Sequence, residues 1–158
     1  LGKDNIINRG ISGDVAMGIY DRLHQILPGK PKQIFLLIGV NDISHDLSTD
    51  SIVNMIEKNV TRIQRESPET KLYLQSLLPI DESFNRYKKL TNKTYQIPEI
   101  NDRLKALAKE KKIDFIDLYP LFTEKGTNVL RKELTYDGLH LKEEGYKIWV
   151  DAIKKKIK

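Results

Sequence analysis

Apolar positions along this chain switch between two spacings. Gln33 to Ile38 (QIFLLI) is a continuous apolar run, the pattern of a strand covered on both faces. Leu72 to Leu78, stopped by Pro79, and Ile113 to Leu118 read the same way, and Asn5 to Asn8 predicts a short strand ahead of them. Between these runs the spacing becomes helical. Val15, Ile19, Leu23, Ile26 and Leu27 predict a helix capped by Asp14 and stopped at Pro28-Gly29. Ile52, Ile56, Val60 and Ile63 predict another, opened by Ser48 and ended by Ser67-Pro68. Ile100, Leu104, Leu107 and Ala108 follow, with Pro98 in the first turn. Tyr146, Trp149, Val150, Ile153 and Ile157 predict a last helix, and a polar loop runs from about Asp81 to Thr94.

Strands alternating with helices imply an α/β fold, with a parallel sheet between two helical layers. Ligands of such sheets bind outside the carboxyl ends of the strands. Two loops fall there: Asn8 to Asp14, and Gly39 to Asp42 directly after the buried run. With 158 residues, 39% hydrophobic and 31% charged, the chain has the size and balance of one globular domain spanning 1–158. No run approaches the ~18 apolar residues of a membrane span. The absence of cysteine removes disulfides, thiolate catalysis and Cys-based metal sites. The net charge of +5 resides largely in Lys109, Lys111 and Lys112 and in Lys154, Lys155, Lys156 and Lys158. Both groups suit helix C-termini, and neither has the interleaved aromatics of a nucleic-acid surface. The chain does not open with Met, so the sequence leaves localisation open.

Three segments could carry chemistry. In Asp137-Gly138-Leu139-His140 a carboxylate three residues before an imidazole can fix its tautomer and stabilise its protonated form. A solvated turn would use the same residues, and a metal site would need a further ligand that the neighbouring sequence does not offer. In Gly39-Val40-Asn41-Asp42 a side-chain amide at a strand end can donate to a developing oxyanion, or can simply close an Asx turn. In Asn8-Arg9-Gly10-Ile11-Ser12-Gly13-Asp14 a glycine before a helix can expose its N–H to a ligand, or can serve only a tight turn. Asp42 fits loop geometry better than chemistry. His45 suits a loop beside the site, and His24 a helix surface.

These segments, in this order, together with Ser76-Leu77-Leu78-Pro79 and with Gly145-Tyr146 after the Asp137 segment, resemble the SGNH (GDSL-type) esterase and acylhydrolase family over essentially the whole chain. The look is nearest to the platelet-activating-factor acetylhydrolase alpha subunits and the bacterial carbohydrate acetylesterases. The resemblance implies a flavodoxin-like sheet. It implies that His140 is the general base, Asp137 its orienter, and Gly13 and Asn41 oxyanion-hole donors. It also implies a Gly-Asp-Ser nucleophile on a first, central strand, which this sequence does not contain. Ser12, Ser44 and Ser76 lie nearest the expected site, and none occupies the family's nucleophile position.

Without that central strand, the strands at Asn5–Asn8 and Gln33–Ile38 flank an empty slot. Each unpaired buried backbone group costs ~1–3 kcal/mol, and several would exceed the ~5–15 kcal/mol stability of a domain. The expectation is therefore a longer protein, with the nucleophile upstream of residue 1. The expected activity is hydrolysis of short acyl esters, acetyl above all, through an acyl-enzyme. The expected substrate is a small ester, an acetylated sugar among the candidates, with no cofactor, no metal and no nucleic-acid partner. The loop carrying Phe84, Arg86, Tyr87, Lys88 and Lys89 is expected to shape the alcohol side. Two other readings stand beside this one: a non-catalytic binding module on the same fold, and a phosphate- or nucleotide-binding domain. The second has only Gly10 and Gly13 to support it and lacks a P-loop or G-x-G-x-x-G.

Overall fold

A computed structural model describes residues 6–157. Three parallel strands form the sheet, β1 (Gln33–Leu36), β2 (Lys71–Gln75) and β3 (Asp114–Ile116), in that spatial order. Ile34 lies opposite Leu72, and Leu74 opposite Phe115. The helices are α1 (Ala16–Arg22), α2 (Val40–Ser44), α3 (Thr49–Glu66), α4 (Gln96–Glu110), α5 (Tyr119–Phe122) and α6 (Glu143–Ile153).

Strand side chains alternate between the two faces, and the core divides accordingly. On one face Leu36, Leu72 and Leu74 pack with Ile52, Ile56, Val60 and Ile63 of α3 and with Ile100, Leu104 and Leu107 of α4. On the other, Tyr73 and Ile116 pack with Leu118, Phe122, Leu130, Leu134 and Ile153. Phe35 and Tyr73 stack there, ring centroids 4.6 Å apart. Burial on both faces explains why the strands read as continuous apolar runs. Each fully buried Leu or Ile contributes about 1.5–3 kcal/mol, so the stripes of α3 and α4 fix these helices on the sheet.

Ser48 caps α3 by accepting the Ser51 N–H at 3.2 Å, and Pro98 falls in the first turn of α4, as the sequence predicts. The first and last helices depart in part from expectation. The first helix is α-helical only to Arg22, then tightens into 3-10 turns at Leu23–Gln25 and Leu27–Gly29. Pro28 disfavours helical backbone in the residue before it. Asp14 does not cap that helix. Its carboxylate pairs with Arg22 at 2.6 Å, and the carboxylate of Asp42 accepts the Ala16 N–H instead, at 3.2 and 3.1 Å. The last helix stops at Ile153, and Ile157 packs beyond it as a half-buried residue.

The expected strand Asn5–Asn8 is not formed in its described part. Ile6, Ile7 and Asn8 are irregular, with Ile7 70% exposed, and Asn5 lies outside the described residues. A strand needs a neighbour for its backbone groups. Among the described residues nothing pairs with β1 on the side away from β2, so no ladder is there for this segment to join. Gln33, Ile34 and Phe35 are correspondingly only half-buried, whereas Leu72 to Gln75 of β2 are buried throughout.

Candidate active site

The Asp137 segment is a tight turn held from inside. The Thr135 hydroxyl accepts the Gly138 N–H at 2.9 Å and donates to the His140 carbonyl at 2.8 Å. Thr135 and Leu141 form an antiparallel bridge across its base. Gly138 is required twice over. Its φ is +88°, and a Cβ there would lie 2.2 Å from the Asp81 carbonyl oxygen. The Asp81 N–H in turn donates to the Gly138 carbonyl at 2.9 Å. The turn is thereby laid against the chain leaving the carboxyl end of β2.

Within this turn Asp137 and His140 meet. Oδ1 of Asp137 accepts the N–H groups of Leu139 at 3.0 Å and His140 at 2.8 Å. Oδ2 lies 2.8 Å from Nδ1 of His140 and accepts the Tyr87 hydroxyl at 2.6 Å. Burial pushes the Asp137 carboxyl up. The hydrogen bonds from Tyr87, the His140 ring and the two backbone N–H groups outweigh it and hold the group well below the usual carboxylate range. The His140 side chain is 62% exposed, so its far edge is open to a ligand.

Asn41 stands on α2, the short helix that takes the chain away from β1. Gly39 turns the chain there with φ +135°, packed against Leu77 and Ile52. The Asn41 amide donates one N–H to the Asp14 carbonyl at 2.8 Å. A primary amide has two, and among the described residues the second has no acceptor. Gly13 is the third residue of a turn closed by the Asp14 N–H on the Ile11 carbonyl at 3.2 Å, and its φ is +78°. Asn41 binds the carbonyl of Asp14 and Asp42 the N–H of Ala16, so the Gly13 turn is fastened to α2 at two points. Burial raises the Asp42 carboxyl above its usual range, against the lowering effect of the Ala16 N–H.

The sequence thus finds Asp137 with His140 and Gly13 beside Asn41, and the two groups share one sheet edge. α2 packs against the 3-10 turn Lys88–Leu90, directly after the Tyr87 that touches Asp137. The remaining candidates take structural places. His45 Nδ1 lies 2.7 Å from the Asn41 carbonyl, and His24 Nδ1 lies 2.7 Å from the Asp21 carbonyl on the surface. Ser76 is fully buried, its hydroxyl accepting the Leu118 and Tyr119 N–H groups. Ser44 donates to the Asn41 carbonyl. Among the described residues no serine hydrogen-bonds to His140, and no group of three His, Cys, Asp or Glu is placed to hold a metal. Sequence reasoning missed the Tyr87 contact and the Thr135 clamp. Tyr87 offered only its place in a polar loop, and nothing in that pattern tells where a ring will point.

A cleft of about 580 Å³ runs between α1 and α3, lined by Met17, Tyr20, Met55 and Arg62 among others. It contains none of the candidate residues, which lie at the sheet edge.

A carboxylate-supported imidazole and a half-buried amide at the carboxyl edge of a parallel sheet are the arrangement of an SGNH-type α/β hydrolase fold. Residues 1–148 match the GDSL-like Lipase/Acylhydrolase family, and the chain belongs to it. One similar solved structure is a protein of Streptococcus pneumonia named for platelet activating factor. It is 30% identical, with a TM-score of 0.86, over 96% of this chain and 72% of that one. An acetyl xylan esterase shares the fold at 22% identity and a TM-score of 0.77, over 94% of this chain and 79% of that one. A curated relative, the N-acylneuraminate cytidylyltransferase of Escherichia coli O18:K1:H7, is 25% identical over 154 residues, 96% of this chain. The chain spans only 35% of that protein's length. Among the described residues no helix is long and apolar enough to cross a membrane.

Proposed function

We propose that residues 1–158 form most of one catalytic domain of a serine esterase that removes short acyl groups, acetyl above all, from a small alcohol such as a sugar. The carrying observation is the Asp137–His140 pair, whose carboxylate stays ionised and whose outer imidazole edge is exposed. A serine upstream of residue 1 attacks the ester carbonyl, and its proton passes to Nε2 of His140. The Gly13 N–H and the free N–H of Asn41 receive the charge on the carbonyl oxygen. The bond between the acyl carbon and the alcohol oxygen then breaks as His140 returns the proton to that oxygen. Water, deprotonated by His140, attacks the acyl-serine, and the serine leaves with that proton. The chain itself needs no cofactor for these steps.

Three things support this reading beyond family membership. Among the described residues no strand lies beside β1 on the side away from β2, which gives an upstream strand a place. No serine among the described residues hydrogen-bonds to His140. The exposed imidazole and open sheet edge suit a small acyl group, and the acetyl xylan esterase and the N-acylneuraminate enzyme make a sugar the first alcohol to try. The test is labelling of the full-length protein with a fluorophosphonate, followed by intact mass and peptide mapping. One adduct on a serine upstream of residue 1, lost in His140→Ala, is the expected result. No adduct on a folded, full-length protein would leave the binding-module reading.

A further inference from the structure

We propose that Tyr87 is a positioning residue of this site, which pins the imidazole proton on Nδ1 of His140 and so leaves Nε2 bare as the base; the proposal rests on the esterase reading for its catalytic consequence alone.

The argument is one of donors and acceptors. Asp137 Oδ2 sits 2.6 Å from the Tyr87 hydroxyl. An ionised carboxylate can only accept, so the single phenolic hydrogen points at Asp137. The same hydroxyl oxygen lies 2.9 Å from His140 Nδ1. With its hydrogen committed, it presents only lone pairs to the ring. Nδ1 therefore faces two acceptors, Tyr87 Oη and Asp137 Oδ2, the second at 2.8 Å. A bare Nδ1 would set lone pair against lone pair twice. An Nδ1–H satisfies both. Asp137 alone would favour this tautomer, and Tyr87 makes the alternative costly from a second direction.

The ring contributes as well. Tyr87 and His140 meet edge to face at 63°, centroids 5.8 Å apart, which opposes rotation of an imidazole otherwise mostly exposed. The loop can hold this position because Tyr87 packs against the core that contains Leu90. Glu82 ties the loop's two ends by accepting the Asn92 N–H at 2.9 Å and the Thr94 hydroxyl. The charged and titratable groups facing the triplet from this loop are Asp81, Glu82 and Arg86, which line one small cavity with Tyr87 and Asp137. Arg86 is the only cation among them. Burial and the bond to Asp137 keep the phenol protonated, since both raise Tyr87.

The experiment compares wild type with Tyr87→Phe, which keeps the ring and deletes the hydroxyl. Imidazole nitrogen shifts of His140, followed by NMR through a pH titration, read the tautomer without any turnover. The wild type should show Nδ1–H. Tyr87→Phe should shift both nitrogens toward the averaged values of a mixed tautomer and move the titration of the Asp137 carboxyl upward. In the full-length enzyme kcat on an acetyl ester should fall about ten- to hundredfold with KM little changed, the equivalent of one hydrogen bond to a charged group. Identical nitrogen shifts in the two proteins would overturn the proposal even if kcat fell. A wild type without hydrolysis would overturn the esterase reading, while the NMR comparison would still decide the role of Tyr87.

Discussion

At the scale of single residues, the proposed mechanism needs groups that change charge and groups that do not. Asp137 belongs to the second kind. Its folded pKa is depressed, so its network contributes stability that is fully present above the unfolded carboxylate value of about 3.9 and is lost as pH falls below it. The urea midpoints of wild type and Asp137→Asn should differ by a constant amount at neutral pH and begin to draw together as pH falls below about 4. A gap that persists undiminished at pH 3 would mean that the carboxylate charge is not what the network holds. Asn41 is defined by timing. Its second N–H is expected to bind more strongly as charge grows on the ester oxygen, where one such donor is worth roughly 3–4 kcal/mol. Asn41→Ala should therefore lower kcat by about 10²-fold or more at little cost in KM. A pure KM effect would make Asn41 a substrate binder.

At the scale of elements, the helix α1 illustrates what a sequence pattern hides. Its apolar spacing predicts the helix and Pro28 its end, but its cap comes from Asp42, 26 residues away. Local patterns report local partners. A carboxylate supplied across space leaves no trace beside the element that it serves. Asp42→Ala should strand a buried N–H and destabilise the fold by about 1–3 kcal/mol, whereas Asp42→Asn keeps an acceptor and should retain most of that. Denaturant titration of the two variants at pH 7 checks this, and equal losses would show that the N–H is not the cause. Because burial raises Asp42, its contribution has the opposite sign to that of Asp137: stability declines as pH rises from the unfolded carboxylate value through the folded one. The same reasoning explains why α2 and α5 went unread: both are short, at 5 and 4 residues, and are set by packing at strand ends rather than by any period. The three apolar strands and the long amphipathic helices were legible because each is long enough for its burial to repeat. The contact between Asp137 and His140 was legible because their spacing is local, and the Tyr87 contact was not because its partner lies 50 residues on.

At the scale of the whole molecule, the two edge strands of the sheet differ among the described residues. β3 is a short edge of three residues, of the kind that proteins leave exposed without harm. β1 carries Phe35 and Ile34 half-buried and has no strand on its outer side among the described residues. In the full-length protein, amide hydrogen exchange at β1 should be as slow as at β2. Fast exchange confined to β1 would mean that no strand lies there, and the upstream nucleophile would lose its support.

Asn41 and Asp42 are neighbours in sequence, and each grips a different point of the chain between Gly13 and α1. A strained bond at either grip would displace the Gly13 N–H and the Asn41 amide together. The two donors are then thermodynamically coupled, and their energies cannot be apportioned by deleting them singly. On the proposed esterase reading, the distance between them is inherited from the fold and does not have to be rebuilt each time an ester binds.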